Sequence, residues 1–172
     1  MPQPEPWLRG THTDLPAVLR AVVHALELAR EDVEQACAPL PGESLHLRPA
    51  GVAPIAFHLR HIPRSLDRLL TYAEGDPLSP AQLDALRSEL DSPNSAPASK
   101  PDLLAEFRSG LNSALGRIHA FAAVDLSQPR AVGRKALPTT VAGLLVHCAD
   151  HTQRHTGQLV TTARLVQAPP SQ

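Results

Sequence analysis

Five of the nine histidines in this 172-residue chain fall into two groups whose spacing could do chemistry. His58 and His61 are three residues apart, and His147, His151 and His155 follow at intervals of four within VHCADHTQRHTGQL. Neutral imidazoles suit Zn²⁺, Ni²⁺ or Fe²⁺, and ligand type alone does not choose among them. On a helix a step of four rotates by about 40° and rises about 6 Å, so His151 and His155 can reach one ion. His147 and His155 differ by about 80° and 12 Å, so one ion cannot take all three. A complete site needs a donor from another helix, and His61 and His58 are the candidates. Two histidines from one helix and one from a neighbour make a three-nitrogen site with room for water or substrate. That vacancy is typical of catalytic metal sites, whereas structural zinc sites usually have four protein ligands.

Other chemistries lack their signatures. The helix carries no HExxH, because Cys-Ala-Asp and Thr-Gln-Arg separate its histidines, so a zincin-type glutamate base is missing. There is no GxSxG elbow, Walker loop or GxGxxG, and the core glutamates and ExxH pairs of di-iron bundles are lacking. Cys148, one turn before His151, is read as a small buried filler rather than a ligand. Asp150 and Arg154 lie about 100° off the neighbouring ligands and are expected to pair at the surface or between helices. His12, His24, His46 and His119 are scattered and are read as ordinary polar residues.

The elements that must position the histidines are helical. Residues 14–36 place Leu15, Val18, Leu19, Val22, Leu26, Ala29 and Val33 on one stripe, with Asp14 as an N-cap candidate and Pro16 in the first turn. A second helix is expected from residues 52–54 to 72, striped by Ile55, Leu59, Ile62, Leu66, Leu69 and Leu70. Pro63 inside it cannot donate to the Leu59 carbonyl, which predicts a kink or local irregularity. SPAQLDALRSEL predicts a brief helix, and DSPNSAPASKP a loop. A third long helix spans about 101–123, with Leu103, Leu104, Phe107, Leu111, Leu115, Ile118 and Phe121 on one side. VDLSQPRAVGRKAL is a connector with room for a short extended segment; the last helix runs from 139–140 to about 166, and QAPPSQ is a tail. No strand-like alternation persists and no repeat is evident. The fold class expected is all-α: a four-helix bundle with long connectors, one domain whose core lies at about 14–166.

Composition narrows the partners. Hydrophobic residues make up 42% and charged residues 19% of the chain, and the formal net charge is −1. Such a balance offers no basic field for nucleic acid or anionic membrane. No signal-like segment follows the N-terminus and no apolar run approaches the ~18 residues of a membrane span. Two cysteines are too few for a disulfide framework, so a cytoplasmic protein with reduced thiols is expected.

The chain resembles the DinB/YfiT-like family of four-helix-bundle metalloproteins. The resemblance rests on TTVAGLLVHCADHTQRHTGQL, an apolar run leading into H-x3-H-x3-H-x-G-Q, and more loosely on IAFHLRHIPRSLDRLLTYAEG. It implies one divalent metal held by His61, His151 and His155, with His58 and His147 beside the site or in the core. It further implies that Gly157 lets another helix approach closely and that Gln158 hydrogen-bonds near the site or across an interface. The chain departs from the common pattern at Thr156, where many relatives have arginine, and at Pro63. The activity implied is metal-dependent transfer of a low-molecular-weight thiol to an electrophile. A hydrolase activating water and a non-catalytic metal-binding or stress-related module are the alternatives. No catalytic side chain is assigned beyond the metal ligands, and a homodimer is expected.

Overall fold

The computed structural model describes residues 3–89 and 97–168. In chain order the elements are α1 (Ala17–Cys37), α2 (Ile55–Glu74), α3 (Pro80–Arg87), α4 (Lys100–Ala120), β1 (Pro129–Val132), β2 (Leu137–Thr140) and α5 (Val141–Gln167). The four long helices match the expected segments within a few residues. Most of the Ser/Pro loop at 91–101, and residues 169–172 of the tail, lie outside the described residues.

Apolar residues at helical spacing on all four long helices close one core. Leu19, Val22, Leu26, Ala29 and Val33 of α1 and Ile55, Leu59, Ile62, Leu66 and Leu70 of α2 are buried in it. Leu103, Phe107, Leu111 and Ile118 of α4, with Val141, Leu144, Leu145 and Leu159 of α5, complete it. Helix α1 packs on α5 and α4, and α2 packs on α4 and α5. Two details of the α1 reading change. Val18 is exposed and Val23 takes the core place, because the buried arc is wider than a single stripe. Pro16, not Asp14, is the N-cap residue, and no side chain caps that end.

Pro63 does not break α2, which runs unbroken from Ile55 to Glu74. Its ring is buried against Gly110 of α4, where an added Cβ would stand 2.3 Å from Pro63 Cβ. The missing side chain on α4 makes room for the proline, so packing compensates for the lost hydrogen bond. This close approach, rather than one at Gly157, is the tight helix contact of the bundle.

The connector before α5 is more ordered than expected. β1 and β2 form an antiparallel hairpin pairing Pro129 with Thr140 and Val132 with Leu137. The short extended segment expected in this connector is β1, and its pairing with β2 was not foreseen because four-residue strands are too short to show alternation. The connector also caps α5. Thr140 Oγ1 accepts from the Gly143 amide, while the Val141 and Ala142 amides donate to the Gln128 and Leu126 carbonyls. Arg130 donates from Nε to the Ala73 carbonyl at the end of α2, over 2.7 Å. The start of α5, and with it the height of its histidines against α2, is fixed by these contacts. Among the described residues no helix is long and apolar enough to cross a membrane.

Candidate metal centre

The core stripe of α2 turns His58 and His61 toward α5, and α5 answers with His151 and His155. His61, His151 and His155 each offer a ligand atom, and these atoms lie within 4.8 Å of one another. The three rings contact pairwise, with centroids 4.3 Å apart for His61 and His155, 4.5 Å for His151 and His155, and 5.1 Å for His61 and His151. His61 Nε2 faces His151 Nε2 at 2.9 Å. Two donors at about 2.1 Å from one tetrahedral ion stand ~3.4 Å apart, so small side-chain shifts would admit an ion between them.

Two neighbours orient the ligands. Glu89, just beyond α3, accepts from His61 Nδ1 at 2.7 Å, and its other carboxylate oxygen accepts from Arg68 of α2. A proton held on Nδ1 leaves the Nε2 lone pair of His61 pointing at the cluster, the arrangement found behind metal-ligating histidines. Burial works to raise the Glu89 pKa, but hydrogen bonds from His61 and Arg68 outweigh it and hold the carboxyl below its ordinary value. His58, only 2% exposed, plays the matching part for His155: the two Nδ1 atoms are 3.1 Å apart, which leaves Nε2 of His155 for an ion. Phe57 stacks on His61 at 5.0 Å and 16° and sets its edge toward His58 and His155.

The electrostatics favour neutral rings. Burial, reinforced by the other imidazoles, lowers the pKa of His58 and of His151 to about 4; His155 reaches about 4 through burial, His61 and Arg154. Neutral imidazole is the form that binds metal. Three converging imidazole nitrogens, two of them oriented by partners, fit a divalent transition metal by the chemistry of the donor set.

The remaining sequence expectations sort by exposure. His147 is exposed, 3.9 Å from Asp150, with its ring beside His151 but outside the cluster. Arg154 donates to Asp150 at 2.8 Å on the surface, as expected. Cys148 is buried, and burial pushes its thiol up to about 12, so it is filler. Gly157 is exposed and a Cβ there would meet nothing within 4 Å; the close helix approach expected at it does not occur, because its face of α5 points outward. Gln158 is likewise exposed. Thr156 is buried.

Sequence reasoning missed Glu89, Arg68 and Phe57. Arg68 sits seven residues after His61, a spacing that places both on one face, and so was within reach. Glu89 arrives from a separate element and carries no local signal.

A cleft of about 680 Å³ opens beside the cluster, lined by Val52, Ala53, His58, Arg154, Thr162 and Leu165 among others. His58 forms part of its wall, so the cleft reaches a residue that touches His155.

A sequence profile described as the DinB superfamily matches residues 25–159. No curated protein matches. A crystal structure of a conserved protein from Enterococcus faecalis superposes with a TM-score of 0.61 at 22% identity, covering 87% of this chain and 96% of that one. At that identity the likeness speaks for the fold.

Proposed function

The chain belongs to the DinB superfamily, and from that premise we propose that it is a divalent-metal-dependent enzyme that activates a low-molecular-weight thiol for transfer to an electrophile. His61, His151 and His155 are the proposed ligands. The observation that carries this reading is the convergence of three imidazoles from two helices, with Glu89 and His58 behind them. When bound, the metal would supply Lewis acidity, ionising a coordinated thiol outright or lowering the pKa of a coordinated water to about 7.

The chain's own residues prepare the site. Glu89 keeps a proton on His61 Nδ1, His58 orients His155, and Phe57 limits rotation of the His61 ring. The cleft's Val52, Ala53 and Leu165 suit an apolar substrate skeleton, and Arg154 at its wall offers a cation to a substrate carboxylate. What favours thiol over water is the state of the nearby carboxylate. Both oxygens of Glu89 are engaged, by His61 and Arg68, so it is not poised to take a proton from water. A metal-bound thiol needs no such base.

The test begins with elemental analysis of untagged protein purified without chelator, followed by turnover of a chloronitrobenzene with and without added thiols. Stoichiometric metal with thiol-dependent turnover, both lost in His155→Ala, is expected. Protein without metal would overturn the reading, as would metal-dependent ester hydrolysis that ignores thiol. Bound metal with neither activity would point to a non-catalytic module.

A further inference from the structure

We propose that His12, His24 and Glu27 form a second site for a divalent transition-metal ion, which clamps the N-terminal segment onto α1. In sequence these residues look unrelated to the histidines of α2 and α5. In the fold their ligand atoms lie within 4.8 Å of one another.

Each donor is placed by a different part of the chain's geometry. His24 and Glu27 are three residues apart on α1 and so share a face. His24 is 7% exposed, with Nε2 3.1 Å from Thr11 Oγ1. His12 belongs to the segment before α1, where its φ of +56° is in the left-handed region that non-glycine residues seldom occupy. That backbone turns its ring down onto α1, so that Nε2 stands 2.9 Å from Glu27 Oε1 and the ring 5.6 Å from that of His24. The edge of His119, from α4, packs against His12 at 5.5 Å and closes the other side.

Two imidazoles and one carboxylate are a donor set for zinc, cobalt, nickel or iron in the divalent state. Magnesium and calcium prefer all-oxygen surroundings and are a poor match. Unlike the all-imidazole donor set of the bundle cluster, this set includes a carboxylate, which can offset part of the cation's charge.

The segment does not need the ion in order to dock. Arg9 pairs with Glu31, one turn along α1, through two hydrogen bonds of 2.7 Å each. A His12→Ala variant therefore keeps an anchor for its N-terminal segment and is a fair test. Glu27→Gln retains size and hydrogen bonding to His12 while removing the anionic donor.

The experiment titrates untagged, full-length, metal-free protein with cobalt(II), following its visible absorption and counting bound metal by elemental analysis. Wild type is expected to take two equivalents. His12→Ala and Glu27→Gln should each lose the second equivalent and keep the first, with unchanged circular dichroism. His155→Ala should do the reverse. A wild type that binds one equivalent, removed by His155→Ala and untouched by His12→Ala, would overturn this inference and leave the proposed function standing. One equivalent removed by His12→Ala alone would do the opposite, and no bound metal would overturn both.

Discussion

The two histidine clusters differ in how they are assembled. The bundle cluster takes His151 and His155 from consecutive turns of α5 and His61 from the helix packed against it. Regular helices carry all three donors, and core packing sets their separation. The N-terminal cluster takes two donors from α1 and one from a non-helical segment held by a left-handed turn at His12. One cluster has its ligands braced by Glu89 and His58; in the other, Thr11 Oγ1 contacts His24 while His12 and Glu27 contact each other. A donor on a helix announces itself by period, while a donor on a loop does not.

The comparison is broken most sharply by deleting ligands. His155→Ala is expected to abolish metal binding at the bundle cluster and leave the N-terminal cluster loaded, while His147→Ala leaves both intact. Elemental analysis of the purified variants checks it, and equal loss in both variants would mean that the register of α5 has been misread.

The bracing comes next. Glu89→Gln keeps the shape but removes the charge behind His61, and a loss of about 10–100-fold in metal affinity is expected at the bundle cluster alone. Competition with a chelator of known affinity measures it.

Packing is the third lever. Gly110→Ala would drive a methyl into Pro63, two residues from His61, and α2 and α4 would have to part. Overpacking of this kind costs about 1–3 kcal/mol, readable by urea denaturation. It should loosen the bundle cluster and leave the N-terminal one unchanged.

The metal-free protein offers a separate test. His58, His151 and His155 have pKa values lowered to about 4, whereas the unfolded chain takes up those protons near the ordinary histidine value of about 6.5. The unfolded state therefore binds more protons across that window, and stability falls as pH drops from about 6.5 toward 4. Thermal melting without metal should show this decline, and a His58→Gln variant should make it shallower without removing it, since His151 and His155 remain. A melting temperature that is level across the window would contradict the neutral-ring picture.

Much of this was legible beforehand because helices repeat. The stripes at Leu59, Ile62 and Leu66, or at Phe107 and Leu111, identify buried faces without any knowledge of the partner. The same arithmetic separates His147 from the pair His151 and His155, and the exposure of His147 agrees with it. Glu89 was not legible, since its contact with His61 spans 28 residues and two elements. The hairpin at β1 and β2 was hidden by strands too short to alternate. Gly157, conspicuous in sequence, stands in open space, while the inconspicuous Gly110 carries the closest helix contact.

Period and composition by themselves determined the helical class, the order of the long helices, and the fact that two α5 histidines can share an ion. Those properties depend on the 100° step of a single helix, which every local sequence carries within itself. Period left His58 and His61 both open and only the resemblance preferred His61; tertiary structure alone decided that Glu89 and His58 brace the cluster and that His12 meets His24 and Glu27. Contacts between elements depend on how the apolar faces dock and on where connectors cap the helices. That information belongs to the whole chain and to no single stretch of it.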